Sequence, residues 1–400
     1  MHNARQLSEG VYYVGVNDRR ITMFENTHPV TRGMAYNSFL LVDEKTVLLD
    51  TVDRSGGHQF IENVLAVLGQ RKLDYLVINH MEPDHCALIP DIIRKYPDVT
   101  LVGNKTTFRL LQQFYNLNLD GRILEVSEGY TLQIGQKTLK FFMAPMVHWP
   151  EVMVTYEVSQ GLLFSADAFG TFGALEGNLF ADQLDFEGTW LEEARRYYAN
   201  IIGKYGSQTL SLLDKISTLK VNYLLPLHGP LWRENIVWYL EKYRTWASYS
   251  YEEKGVVIAF GSIYGNTEEA VDILGSFLSE LGVKNIRIND VSSLDPSYII
   301  SNIYRYSHLV IASSTYNFRL FPRMETLVND IVASNIQNRT IAIIENGSWA
   351  PNADSIIRSH FAKLKNNKIV NAEKFTIKSS LKNEQLQALR LLAKAIADTI

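Results

Sequence analysis

Short apolar runs between polar breaks dominate the first part of the chain: Val11-Tyr12-Tyr13-Val14, Ser38-Phe39-Leu40-Leu41-Val42, Thr46-Val47-Leu48-Leu49-Asp50, Leu139-Lys140-Phe141-Phe142-Met143 and Leu162-Leu163-Phe164. Runs of this length, rich in β-branched and aromatic residues, predict strands. Helical periodicity interrupts them at residues 57 to 69, 105 to 115, 188 to 204 and 208 to 219. Many short strands with few helices predict two sheets packed on each other with helices outside. After Glu252-Glu253-Lys254-Gly255 the rhythm becomes strict alternation. Strand Val256 to Phe260, a helix through Leu281, strand Asn285 to Ile288, a helix to about Tyr304, strand Leu309 to Ala312 and strand Ile341 to Ile344 follow in turn. That order predicts a doubly wound parallel sheet. The change of rhythm near residues 247 to 255 divides the chain into domains at 1–250 and 254–400.

Composition narrows the function. With 46% apolar residues in 400, each domain can bury its own core. Lys plus Arg number 39 against 43 for Asp plus Glu, a balance that offers no footprint for nucleic acid or an anionic membrane surface. No apolar run approaches the ~18 residues of a membrane span, and Met1-His2-Asn3-Ala4-Arg5 lacks a signal peptide's apolar stretch, so a cytoplasmic protein is expected. The single cysteine, Cys86, rules out an intrachain disulfide and any four-thiolate iron site, and reads as a small buried apolar residue.

Candidate metal chemistry gathers at strand ends. Asp74-Tyr75-Leu76-Val77-Ile78-Asn79 runs into His80-Met81-Glu82-Pro83-Asp84-His85. Residues two apart in extended chain face the same way, so His80 and Glu82 can share one metal while a turn at Pro83 redirects Asp84 and His85 towards a second. His148, Asp167 and His228 each follow a further apolar strand. The segment resembles the His-x-His-x-Asp-His signature of the metallo-β-lactamase fold, with Glu82 in place of the second His. That replacement marks the flavodiiron proteins, whose pattern His80, Glu82, Asp84, His85, His148, Asp167 and His228 match in order. The resemblance implies an N-terminal metallo-β-lactamase-like αββα sandwich holding two iron ions bridged by Asp167 and an oxo or hydroxo group. Each ion then has four protein ligands: His80, Glu82 and His148 for the first, Asp84, His85 and His228 for the second, and Asp167 for both. Four imidazoles and three carboxylates form a hard, anionic set that suits iron better than zinc, and three carboxylates plus one hydroxide balance two ferrous charges.

The second domain opens with strand Val256 to Phe260, then Gly261-Ser262-Ile263-Tyr264-Gly265-Asn266-Thr267, then an amphipathic helix. Gly265 lets the backbone curl, the hydroxyls of Ser262 and Thr267 can donate to phosphate oxygens, and a helix N-terminus favours an anion. This loop resembles the phosphate loop of flavodoxins, which implies FMN on a flavodoxin-like doubly wound sheet. Ser313-Ser314-Thr315-Tyr316-Asn317-Phe318 and Asn346-Gly347-Ser348-Trp349 follow the next strands, where such sheets bind ligands. Tyr316 and Trp349 are the candidate partners of a flavin ring, with Gly347 permitting close backbone approach.

The resemblance spans the whole chain and includes Tyr36-Asn37-Ser38-Phe39-Leu40, Leu49-Asp50-Thr51-Val52-Asp53 and Arg195-Arg196-Tyr197-Tyr198-Ala199-Asn200. It implies reduction of O2 to water, of NO to N2O, or of both. It also implies a separate electron donor such as a rubredoxin or a flavin reductase, and a head-to-tail homodimer or dimer of dimers. Tyr197 resembles a pocket tyrosine of the family and equally suits a core position beside Leu191, Ala194 and Ile201. The chain departs from the family at Phe24-Glu25, where many members have Phe-His, which loosens any inference about substrate preference. The alternatives are a dizinc hydrolase whose second domain is an interaction module, and a simple electron carrier.

Overall fold

The computed structural model describes all 400 residues, which divide into two compact units, Met1–Tyr198 with Ser207–Arg244, and Ala199–Gly206 with Thr245–Ile400. No helix is long and apolar enough to cross a membrane.

The first unit is built on two sheets. One holds seven strands, in spatial order Arg5–Ser8, Val11–Tyr13, Phe39–Val42, Thr46–Leu49, Tyr75–Val77, Thr100–Gly103 and Ile123–Glu125. Its first four strands pair antiparallel and its last three join in parallel. The other holds five, Thr131–Gln133, Thr138–Met143, Met153–Glu157, Leu162–Phe164 and Tyr223–Leu225, the last pairing in parallel. Phe39 of the first sheet and Phe164 of the second meet with ring centroids 5.2 Å apart. Strands Thr46–Leu49 and Met153–Glu157 are buried along their whole length, as central strands covered on both faces must be. Helices Gly57–Leu68, Lys105–Phe114 and Gly206–Ile216 form where the periodicity predicts them. The predicted helix at 188 to 204 is instead a broken run of Phe186–Thr189, Leu191–Tyr197, a π-helical turn at Tyr198–Ile202 and a 3-10 turn at Gly203–Tyr205. The predicted turn at Pro83 is a short helix, Pro83–Cys86, with the proline at its first position, where its missing N–H costs nothing.

The second unit is a parallel sheet in the order Ile286–Asp290, Glu253–Gly261, Tyr306–Tyr316, Thr340–Asn346, with Lys368–Ile369 and Phe375–Ile377 sharing the far edge. Numbered along the chain, this is 2-1-3-4-5, so the strand order reverses beside the first strand and leaves a crevice at the strand carboxyl ends. Helices Asn266–Glu280 and Leu386–Ala397 pack together on one face, their Leu274, Leu278, Leu389 and Ala393 sharing a core with Val256, Ile258 and Val310. Helices Pro296–Arg305, Pro322–Ala333 and Ala353–Phe361 form a second packed group.

Candidate functional site

Strand Tyr75–Val77 delivers the first ligands, and buried hydrogen bonds fix where they go. Asp50, at the end of Thr46–Leu49, accepts the Asn79 backbone N–H at 2.7 Å, its side-chain amide at 2.8 Å and the His80 N–H at 3.2 Å. Thr155 donates across from the second sheet to Asn79 Oδ1 at 2.7 Å. Burial pushes the Asp50 carboxyl up to about 6, with these amide donors pulling the other way. Glu151 Oε1 accepts from the Met81 N–H and from His80 Nδ1, both at 2.8 Å. The His80 proton therefore sits on Nδ1 and the Nε2 lone pair points into the site. His228 Nδ1 donates to the Ala35 carbonyl at 2.8 Å and is set in the same way.

Two groups of ligand atoms result, His80, Glu82, His148 and Asp167 in one and Asp84, His85 and His228 in the other, all of them buried. Asp167 joins them. Its Oδ2 lies 3.1 Å from His148 Nε2 and 3.3 Å from His80 Nε2, while its Oδ1 lies 3.1 Å from His85 Nε2 and 3.6 Å from His228 Nε2. Glu82 Oε2 is 3.0 Å from His148 Nε2 and 3.3 Å from His80 Nε2, and Asp84 Oδ2 is 3.3 Å from both His85 and His228 Nε2. Ligand atoms about 2.1 Å from one ion at right angles stand about 3.0 Å apart, so these spacings suit coordination.

The electrostatics ask for cations. Burial opposes charge on Asp167 and on Glu82, yet the imidazoles beside them hold both carboxyls well below the usual range. Burial likewise opposes a proton on His80, but the Asp167 charge and the flanking carboxylates raise it well above its ordinary value. The first group thus relies on positive charge between its members, which a metal ion supplies when it displaces the protons. Both Asp84 oxygens and Asp167 Oδ1 are buried without a hydrogen bond. His85 Nε2 faces His228 Nε2 at 3.0 Å, an approach of two ring nitrogens that is favourable only with a proton or ion between them. The donor set fits two cations.

Tyr197 is fully buried on the broken helical run, with its ring centroid 5.5 Å from that of His228 and its hydroxyl without a hydrogen bond. It is at once a core residue and a neighbour of the metal ligands. Gly170 makes room for it, since a Cβ there would come within 2.8 Å of the Tyr197 ring. A cavity of about 470 Å³, lined by Met23, Phe24, Glu25, Tyr36, Glu82 and Asp84 among others, opens onto the ligands. Burial, then a hydrogen bond with Glu82, raises the Glu25 carboxyl. Glu151, Asp50 and Tyr36 carry no motif that marks them in the sequence, although Asp50 and Tyr36 lie within the family-like segments.

In the second unit, Gly265 is left-handed (φ 89°) and caps helix Asn266–Glu280. Its N–H donates to Ser262 Oγ at 3.0 Å, leaving the Ser262 proton free to donate. Thr267 Oγ1 is tied into the wall, 3.0 Å from Ser314 Oγ and accepting from Asn346 Nδ2 at 3.1 Å. A cavity of about 280 Å³ here is lined by Ser262, Ile263, Tyr264, Asn266, Thr267, Ser314, Thr315, Asn317, Phe318, Asn346, Gly347, Ser348, Trp349 and Ser379. No lining side chain is charged, so an anion would be held by amide and hydroxyl donors and the helix N-terminus. Gly265 and Tyr316 lie outside that lining. Phe318 and Ser379 join the lining, Ser379 on the loop after Phe375–Ile377, a strand too short to read from sequence. Tyr264, Phe318 and Trp349 are 91%, 66% and 76% exposed, which leaves a bare aromatic rim.

Residues 34–229 match the model of the ODP family beta lactamase. The chain is 30% identical over 352 residues to the anaerobic nitric oxide reductase flavorubredoxin of Klebsiella pneumoniae, covering 87% of this chain and 72% of the relative. It is 29% identical over 359 residues to the protein of the same name from Vibrio vulnificus, covering 88% and 72%. Among solved structures, it superposes on the rubredoxin oxygen:oxidoreductase of Desulfovibrio gigas with a TM-score of 0.93 at 24% identity, covering 99% of this chain and 98% of that one. It superposes on the flavodiiron protein of Giardia intestinalis with a TM-score of 0.92 at 25% identity, covering 100% and 98%.

Proposed function

Because this chain belongs to the flavodiiron protein family, we propose that it is an oxidoreductase that reduces O2, NO or both at two iron ions, with electrons passing through FMN. The observation that carries this reading is Asp167, whose two oxygens face two separate sets of ligands. His80, Glu82 and His148 would hold one iron and Asp84, His85 and His228 the other. Two irons held there would supply the reducing electrons for O2 or NO, and bound FMN would be the group that replenishes them.

The chain's own residues do the positioning. Asp50 and Glu151 fix the backbone and ring of His80, and the Ala35 carbonyl fixes His228. Tyr36 and Glu25 line the approach, and the buried Tyr197, its hydroxyl unpartnered, is the candidate to hold a proton beside the substrate. Ser262 to Thr267 would cradle the FMN phosphate, with Ser314 to Asn317 and Asn346 to Trp349 flanking the ring. Residues 1–250 and 254–400 act as the iron and flavin domains.

The names of the relatives support a rubredoxin-type electron donor, and we propose a head-to-tail homodimer or dimer of dimers. A cytoplasmic setting suits a chain whose one thiol, Cys86, is buried. A dizinc hydrolase is not favoured by a donor set with three carboxylates.

Asp167→Ala tests the two-site assignment. Turnover of O2 and NO by the reduced protein should be abolished while FMN content per chain stays unchanged, because the ligand and the phosphate loop belong to different units. Activity retained, or flavin lost with the metal, would overturn the assignment.

A further inference from the structure

Apart from both sites, the first unit holds a cavity of about 600 Å³ between strand Val11–Tyr13, the loop near Leu175 and the start of helix Gly57–Leu68. We infer that this cavity binds a small phosphate monoester, with Tyr13, Arg5 and Arg19 as its principal donors.

Its polar lining is made of donors with capacity to spare. Arg5 Nη2 donates to the Gly177 carbonyl and Arg19 Nη2 to the Leu175 carbonyl, and neither guanidinium is spent on a carboxylate. Each has five N–H groups, so most remain available. Asn17 Oδ1 accepts from the Leu175 N–H at 2.6 Å, which leaves its amide N–H groups to donate.

The independent pointer to a ligand is Tyr13. It lines the cavity, is 2% exposed, and its hydroxyl is buried with no hydrogen-bond partner. Burial keeps that hydroxyl protonated against the pull of the nearby Arg5 and Arg19 charges, so it too is a donor. Buried donors are almost always paired, and an acceptor between the phenol and the guanidiniums would pair all three. The helix adds to the field: Gly56 is its N-cap with no side chain capping it, and Gly56, His58 and Gln59 line the cavity.

The neighbouring acids are already hydrogen-bonded: Ser55, which lines the cavity, pairs with Asp18 and donates its N–H to Asp53 at 2.7 Å. Asp18 accepts from the Arg20 and Ile21 N–H groups, and Glu62 pairs with the N-terminal amine at 2.8 Å. The cavity is far larger than one phosphate, and Val16, Leu175 and Leu179 give it an apolar wall that inorganic phosphate would leave bare. An esterified organic group matches that wall.

The test is calorimetric titration of the iron- and FMN-loaded protein at low ionic strength with inorganic phosphate, glycerol 3-phosphate and AMP, so that the flavin phosphate loop is already filled. At least one monoester should bind saturably and more tightly than inorganic phosphate. Its affinity should fall at least tenfold in Tyr13→Phe, which removes one oxygen and leaves the ring, and in Arg5→Gln with Arg19→Gln. O2 consumption should be unchanged in Tyr13→Phe. Inorganic phosphate binding as tightly as both esters would overturn the assignment to a monoester. No saturable binding, or binding indifferent to both variants and so located elsewhere, would overturn the site itself.

Discussion

His80 could turn its ring away from the site were Nδ1 not held by Glu151, which also accepts the Met81 N–H. Orientation by such a partner typically changes metal affinity by about 10- to 100-fold. Glu151→Ala should therefore lower the iron retained after dialysis against a chelator by an affinity factor in that range, while Glu151→Gln, which keeps an acceptor oxygen, should retain most of it. Equal iron in all three proteins would show that Glu151 does not position His80. A second prediction concerns Glu82, which contributes an oxygen where hydrolytic relatives of the fold have imidazole. Glu82→His should shift metal preference from iron towards zinc and remove reductase activity, because softer nitrogen ligands suit zinc and the lost carboxylate leaves the pair under-neutralised. Metal analysis after growth with both metals decides it, and full iron occupancy with normal turnover would defeat the argument. The residues that the structure gathers into the two groups are legible in the sequence because they are His, Asp and Glu clustered at or just past the ends of apolar runs. Glu151 is not, because an acid that orients another residue from a loop looks like any other loop acid. At the flavin-type pocket, Phe318 lines the cavity while Tyr316 lies just outside it, because left-handed Asn317 and Phe318 (φ 49° and 60°) turn the chain after the strand.

Elements with long periodic patterns were easiest to anticipate. Helix Asn266–Glu280 follows its strand and loop as the apolar stripe requires, and the parallel sheet around it follows from the alternation of strand and helix. The segment 186 to 205 was harder: its apolar spacing is continuous, but the helix is interrupted at Trp190 (φ −119°) and a π turn follows at Tyr198–Ile202. Periodicity cannot register a change of winding that tertiary packing imposes. Other connections depend on single buried residues, and Arg339 is the clearest. It is 2% exposed and donates to the carbonyls of Ile303 at 2.7 Å, Tyr304 at 3.2 Å, Tyr249 at 2.7 Å and Gln337 at 2.9 Å. It thereby ties the end of helix Pro296–Arg305 to the start of strand Thr340–Asn346. Burial lowers its pKa to about 10, which leaves the guanidinium charged at neutral pH. Arg339→Met should fill similar volume yet leave those carbonyls unpaired, at a cost of about 3 kcal/mol or more. Denaturant unfolding followed by the release of FMN fluorescence would measure it, and a loss below about 1 kcal/mol would show that water or other donors take over.

At the scale of the molecule, each unit holds one of the two candidate sites, the ligand groups in the first and the flavin-type cavity in the second. Nicotinamide dinucleotides need a pyrophosphate site at a Gly-x-Gly-x-x-Gly turn, with an acid further on for the ribose. The only comparable turn, Gly261 to Thr267, has the wrong glycine spacing, and the cavity beside it has no charged lining residue and a volume of about 280 Å³. It suits one terminal phosphate and its attached chain. Nor can the chain relay electrons through a thiolate-bound iron centre, because Cys86 is its one cysteine. The exposed rim of Tyr264, Phe318 and Trp349 around the cavity is the surface where an electron carrier would approach a flavin bound there. The purified protein, loaded with iron and FMN, should consume O2 or NO slowly with NADH alone. Adding a small reduced carrier such as a rubredoxin with its reductase should raise the rate by orders of magnitude, and Trp349→Ala should weaken the dependence on carrier concentration more than the maximal rate. Electrode traces of O2 and NO under the same conditions give both comparisons. Rapid oxidation of NADH by the lone protein would mean that a nicotinamide site exists elsewhere on the chain, and the division of labour between the two units would have to be redrawn around it.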